Sequence, residues 1–144
     1  MVLFNTFEQK NTTMDNILNN ITELLLLAFL AITFLQSGLD KALDWKGNIA
    51  WLKEHFEKTF MANMVPLNVG IIFVLETIAG LFALIGMATI IIDGNTVFGF
   101  YSAILSAIVL LLLLFGQRVA KDYDGARTIV IYFIPTIMAL YLLK

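Results

Sequence analysis

Long apolar runs, separated by clusters of charge, set the pattern of this chain. Four runs stand out, at residues 17–39, 67–92, 97–115 and 126–143. The first contains a continuous apolar core over 24–35, interrupted only by Thr33. The second carries Glu76 as its single ionisable side chain, and the third carries none. The fourth is uncharged from Ile129 onward and contains Pro135. A hydrocarbon core of about 30 Å is crossed by about 20 helical residues. The runs reach that length when the fourth begins near Ala126, and a proline inside a membrane helix is tolerated where neighbours re-satisfy the freed carbonyl. The pattern predicts an all-α membrane protein: a four-transmembrane-helix bundle forming a single membrane domain over residues 1–144.

The connections add detail. Thr12-x-x-Asp15 has the spacing of a capping box and predicts the start of the first spanning helix. Asp93-Gly94-Asn95-Thr96 is a tight turn, with Gly94 suited to the position after a helix and Thr96 to the next N-cap. It makes the second and third spans an antiparallel hairpin. The link over 40–66 is the one sizeable segment outside the bundle. Within it, residues 48–64 show helical periodicity, with Ile49, Leu52, Phe56 and Phe60 on one face and Trp51 beside them. Lys53, Glu54, Glu57 and Lys58 lie opposite, spaced for Lys53–Glu57 and Glu54–Lys58 pairs. Gly47-Asn48 begins this helix and Pro66 marks its end. It is a short interfacial amphipathic helix, or a lid over the bundle end; the two roles are compatible.

Composition agrees with the pattern. The chain is 60% hydrophobic and 14% charged, with a mean hydropathy of +0.87, whereas soluble domains carry about 25% charged residues. So much apolar surface on so short a chain belongs against lipid. The net charge of −2 and the lack of a basic run speak against a nucleic-acid partner. The absence of cysteine removes disulfides, cysteine zinc sites, iron–sulfur ligation and thiol relays within the chain, and the lone His55 cannot supply a bis-histidine haem. Near the start, Lys10 is outnumbered by Glu8, Asp15 and Glu23, so the basic region of a signal peptide is missing.

Lys41, Lys46, Lys53, Lys58, Arg118, Lys121 and Arg127 fall in the first and third links, against Lys10 and Lys144 on the other side. The positive-inside rule then places both charged links in the cytoplasm. Small residues form stripes: Ala79, Gly80, Ala83 and Gly86 on the second span, Gly99, Ser102, Ala103, Ser106 and Ala107 on the third. Such stripes allow close helix approach in lipid, where no hydrophobic force holds helices together.

Glu76 is the most informative residue. At 1.5 Å per residue it lies about 5 Å from mid-membrane, and an ionisable group there costs about 3 kcal/mol or more unless paired or neutral. The topology brings Gln36, Asp40, Lys41, Gln117 and Arg118 to the same side of the bundle, with Arg118 also able to reach Asp122 at i,i+4. Two readings follow. Glu76 pairs with Lys41 or Arg118 and locks helix register, or the cluster lines a pocket for the polar head of a quinone, lipid or anion.

Phe34-Leu35-Gln36-Ser37-Gly38-Leu39-Asp40-Lys41 resembles the end of the first helix in the DoxX-like family of small bacterial membrane proteins, and Glu76-x3-Gly80-x5-Gly86 is similar to that family's Glu…Gly…Gly pattern. Trp45 and Gly47 in the following link also fit. The resemblance implies a multi-pass protein of the bacterial inner membrane, with Gly38, Lys41, Glu76, Gly80 and Gly86 as its carried-over positions. It also implies a subunit or accessory protein of a quinone-linked oxidoreductase or another envelope complex, partnered by other membrane subunits or its own copies. Quinone or lipid would be its ligand, with no metal or covalent cofactor. One departure concerns the turn at 93–96, which lacks the basic residue common in the family and leaves orientation open between the charge-based one and its reverse. Two other expectations stand beside this: a small transporter or channel component using Glu76, and a purely structural membrane anchor. Independent catalysis is not expected, because no nucleophile–base pair or metal set appears.

Overall fold

The computed structural model describes residues 2–144 and the side chains of Gln9 and of Asn11 onward; those of Glu8 and Lys10, counted above in the charge balance, lie outside the described residues. Six α-helices follow one another: α1 (Val2–Asn19), α2 (Ile21–Leu43), α3 (Trp45–His55), α4 (Val65–Asp93), α5 (Val97–Ala120) and α6 (Tyr123–Leu142). A single 3₁₀ turn (Ala62–Met64) leads into α4, and no strand occurs among the described residues. Four helices, α2, α4, α5 and α6, are long and apolar enough to cross a membrane. The chain is a multi-pass helical membrane protein.

Helix ends explain the path. α4 carries Pro66 in its first turn, where the missing N–H costs nothing. It stops at Gly94, whose φ of 71° is the left-handed conformation that a Cβ disfavours. The tight hairpin into α5 follows. Thr96, expected to cap α5 with its hydroxyl, does not; Asn95 Oδ1 takes that role, accepting from the Val97 N–H at 2.9 Å. α6 begins on Asp122, whose side chain accepts from the Gly125 N–H at 2.8 Å.

Two expectations about local structure are corrected. Thr12 and Asp15 do not open the first span; they lie inside α1. The chain breaks at Asn20 (φ −119°, ψ 26°) and the spanning helix starts one residue later. α1 packs on the end of α4, where Asn16 Nδ2 donates to the Ile91 carbonyl at 3.3 Å, supplying from outside a partner for a carbonyl near that helix end. Secondly, the helix expected over 48–64 begins earlier and ends sooner. Asp44 caps it by accepting from the Gly47 N–H at 3.0 Å. It ends at His55: the Phe56 N–H still bonds the Leu52 carbonyl, but the Glu57 N–H turns to Glu54 at 3.2 Å, and Thr59 follows by bonding the Phe56 carbonyl at 2.9 Å through both its N–H and its hydroxyl. Glu57 and Lys58 therefore lie beyond the helix, and the helical spacing that would pair them with Lys53 and Glu54 is lost. The link serves as cover and as exposed surface together. Trp45 stands edge-on to Phe73 at 6.0 Å and Phe56 approaches Gly116, while Trp51 and Phe60 are exposed.

The bundle is organised by α4, which packs along both α2 and α5; α6 completes it against α5. At Gly86 a Cβ would lie 2.5 Å from the Gly99 nitrogen, so here two helix backbones touch directly. Ser102, one turn further along α5, donates to the Ala79 carbonyl at 2.8 Å. Across α2, a Cβ at Gly80 would meet Leu35 at 2.6 Å, and one at Gly38 would meet the Thr77 hydroxyl at 3.0 Å. Leu27, Leu30, Phe34, Ala79, Ala83 and Ile90 form the centre of the core. Leu67, Ile71, Val74, Ile78, Leu81 and Ile85 of α4 are exposed, as a lipid-facing stripe requires.

Candidate functional site

The antiparallel register of α2 and α4, set by the Gly38–Thr77 and Gly80–Leu35 approaches, brings Ser37 and Lys41 to Glu76. Glu76 is 1% exposed. Its Oε2 lies 2.8 Å from the Lys41 ammonium, and its Oε1 accepts from the Ser37 hydroxyl at 3.1 Å. Lys41 also donates to the Ser37 hydroxyl at 2.7 Å and to the Ser37 carbonyl at 3.3 Å. Oε2 accepts no aligned hydrogen bond, so its contact with Lys41 is ionic. A lysine near a helix end in a membrane ordinarily extends outward to the interface. Lys41 instead follows the natural lean of helical side chains toward the preceding turn, and that lean carries it inward to Ser37 and Glu76.

Two clefts adjoin this cluster. The larger, about 510 Å³, lies among α2, α5 and α6; Phe29, Ile32 and Leu113 contribute apolar wall, and Gln36, Asp40 and Glu76 contribute polar wall. Ile32 and Tyr132 on its rim are exposed, so it opens sideways between α2 and α6, toward lipid. Its size falls within the range of small-molecule sites, about 300–1,000 Å³. The smaller, about 390 Å³, lies beneath the α3–α4 link and is lined chiefly by apolar groups such as Phe56, Met61 and Leu112, with Lys41, Asn68 and Gln117 as polar exceptions. Leu113 lines both clefts, Glu76 only the larger and Lys41 only the smaller. The ion pair is part of the partition between them.

The six polar residues singled out by their placement thus divide. Glu76 and Lys41 form the pair, and Gln36 and Asp40 share the larger cleft with Glu76. Asp40 has no ion pair among the described residues. Gln117 faces the smaller cleft and holds His55 Nε2 at 3.2 Å. Arg118 joins neither cleft nor Glu76; it is exposed and lies over the Tyr123 ring at 4.9 Å. Its expected i,i+4 contact with Asp122 fails because α5 ends at Ala120 and Lys121 adopts φ 60°, which takes Asp122 off the helical path. Asp122 stands 3.8 Å from His55 instead. Gly38, Gly80 and Gly86 all sit at close helix approaches.

Ser37 and His55 are participants that reading along the chain overlooks. Ser37 could have been found from its i,i+4 spacing to Lys41 beside Gly38. His55 had no comparable signal, since its partners Gln117 and Asp122 are more than sixty residues away.

No family model matches the chain, and no curated protein or solved structure matches it either. The DoxX-like resemblance accordingly rests on the motifs at 34–41 and 76–86 and on the link residues Trp45 and Gly47.

Proposed function

We propose that this chain is a DoxX-like integral subunit or accessory protein of a quinone-linked oxidoreductase or related envelope complex in the bacterial inner membrane. In this role it receives the polar head of a lipid-soluble ligand in the α2–α6 cleft. The observation that carries the reading is the joining of a laterally open, largely apolar cleft to a buried Lys41–Glu76–Ser37 cluster. A quinone-type molecule or a lipid needs that combination: apolar walls for its tail, reached from the bilayer, and fixed polar groups for its head. The residues fit such a ligand, since Gln36, Asp40, Glu76 and Tyr132 all line the cleft. The protein supplies binding and orientation, and any electron carrier would come from partner subunits.

Gentle detergent extraction of the full chain from its membrane tests this. The reading predicts that mass spectrometry finds a bound quinone or lipid, or a partner membrane subunit, with the chain. Recovery of the chain alone, with neither, contradicts it.

A second reading draws on the partition. Two clefts meeting at one ion pair suit a small transporter in which opening the Lys41–Glu76 contact would join them. Solute flux in reconstituted liposomes that is lost in Glu76→Gln would favour it.

A further inference from the structure

Resting on the cleft reading just given, we propose that the α2–α6 cleft selects heads that donate hydrogen bonds and carry no negative charge. A hydroquinone is therefore held in preference to the corresponding quinone, and anionic heads are rejected.

Donors, acceptors and charge around the cleft are unequally matched. No lysine or arginine lines the cleft, and the ammonium of Lys41, which pairs with the cleft-lining Glu76, is already committed to the Ser37 carbonyl, the Ser37 hydroxyl and Glu76. The Ser37 hydroxyl proton is committed to Glu76 Oε1. Neither has a donor to spare for a ligand. On the acceptor side the opposite holds. Glu76 Oε2 is buried and engaged by the Lys41 ammonium at 2.8 Å, so the free acceptor of the cleft is Asp40. The Asp40 carboxylate, at the rim of the same cleft, has no ion pair among the described residues. Lys41 and Glu76 cancel in charge, so the cleft keeps the negative charge of Asp40.

A quinone head presents acceptors only. It can use donors of Gln36 and Tyr132, residues that also line the cleft, but has nothing to offer the carboxylate. A hydroquinone uses the same two groups and additionally donates to a carboxylate oxygen, a charge-assisted bond stronger than a neutral one. A phosphate or carboxylate head faces Asp40 with like charge and finds no free cation. The walls do not discriminate, because the tail is the same in each case.

Equilibrium binding to the purified full chain in nanodiscs distinguishes these outcomes. The probes are a short-tailed hydroquinone kept reduced under anaerobic conditions, the matching quinone, and an alkyl phosphate of equal tail length. The hydroquinone is expected to bind about tenfold tighter than the quinone, about 1.4 kcal/mol, and the alkyl phosphate more weakly than either. Asp40→Asn, at an exposed position, should narrow the hydroquinone–quinone ratio and let the alkyl phosphate bind. Equal affinities for hydroquinone and quinone, or a ratio unchanged by Asp40→Asn, overturn the selectivity while leaving the cleft as a binding site. Failure of every probe to bind overturns the cleft reading itself.

Discussion

Lys41 and Glu76, on neighbouring antiparallel helices, meet at 2.8 Å with Glu76 sealed from solvent. Ser37 contacts both partners, so the pair is held by three side chains from two helices. In hydrocarbon each charge is tolerable only because of the other. Register and site chemistry are consequently the same structure: sliding α2 against α4 by one turn would strand a carboxylate in the membrane.

Breaking the pair from one side should therefore cost more than removing it. Lys41→Met leaves Glu76 buried without its cation and is expected to destabilise the bundle by about 3–5 kcal/mol. Lys41→Met with Glu76→Gln should recover most of that loss. Thermal unfolding of the single and double variants in one detergent checks this; additive losses would contradict it.

The glycines should fall into two groups on replacement by alanine. At Gly86 the new Cβ meets the backbone of Gly99 at 2.5 Å, and backbone cannot step aside, so Gly86→Ala should cost about 1–3 kcal/mol as α4 and α5 part. At Gly70 and Gly116 the nearest atoms are Trp45 at 3.8 Å and Phe56 at 3.5 Å, ordinary contacts. There the better helix propensity of alanine, about 0.5–1 kcal/mol, should leave stability unchanged or raised. A melting-temperature series gives the ranking directly.

Much of this architecture is legible from residue order. Apolar run length finds α2, α4, α5 and α6, because lipid leaves few alternatives to a helix. The small residues Ala79, Gly80 and Gly86 mark the packed face of α4, and hydrogen-bonding side chains sharing a membrane side bring Lys41 to Glu76. What is not legible depends on energies with no periodic signature. α1 is mostly polar in its C-terminal half, with only Met14, Ile17 and Leu18 apolar, and it lies behind a plausible capping pattern at Thr12–Asp15. The apolar spacing of Phe56 and Phe60 continues past His55, though the backbone has already left the helical ladder at Glu57. Lys121 takes a left-handed conformation usually left to glycine, so nothing in the order of residues warns that Asp122 will turn away from Arg118.

That turn creates a latch. His55, stacked on Trp51 at 5.0 Å, meets Gln117 at 3.2 Å and Asp122 at 3.8 Å, tying the α3 link to the far end of α5. His55→Ala should speed amide hydrogen exchange over residues 45–64 while leaving α2 and α5 unchanged. Asp122→Ala should do this and also cost about 1 kcal/mol, because the same carboxylate caps α6. Exchange that is unaltered by either variant would mean the link is held by Trp45 and Phe56 alone.

In the proposed role a lipid-soluble molecule enters between α2 and α6 and brings its head to Glu76. Photo-crosslinking in native membranes with a quinone bearing a photoreactive tail, followed by peptide mapping, reads that path. Labelling confined to α2 and α6 around Phe29, Ile32 and Tyr132, and suppressed by excess unlabelled hydroquinone, is the predicted result. Labelling spread over the exposed α4 stripe at Leu67, Val74 and Leu81, with no competition, would contradict it.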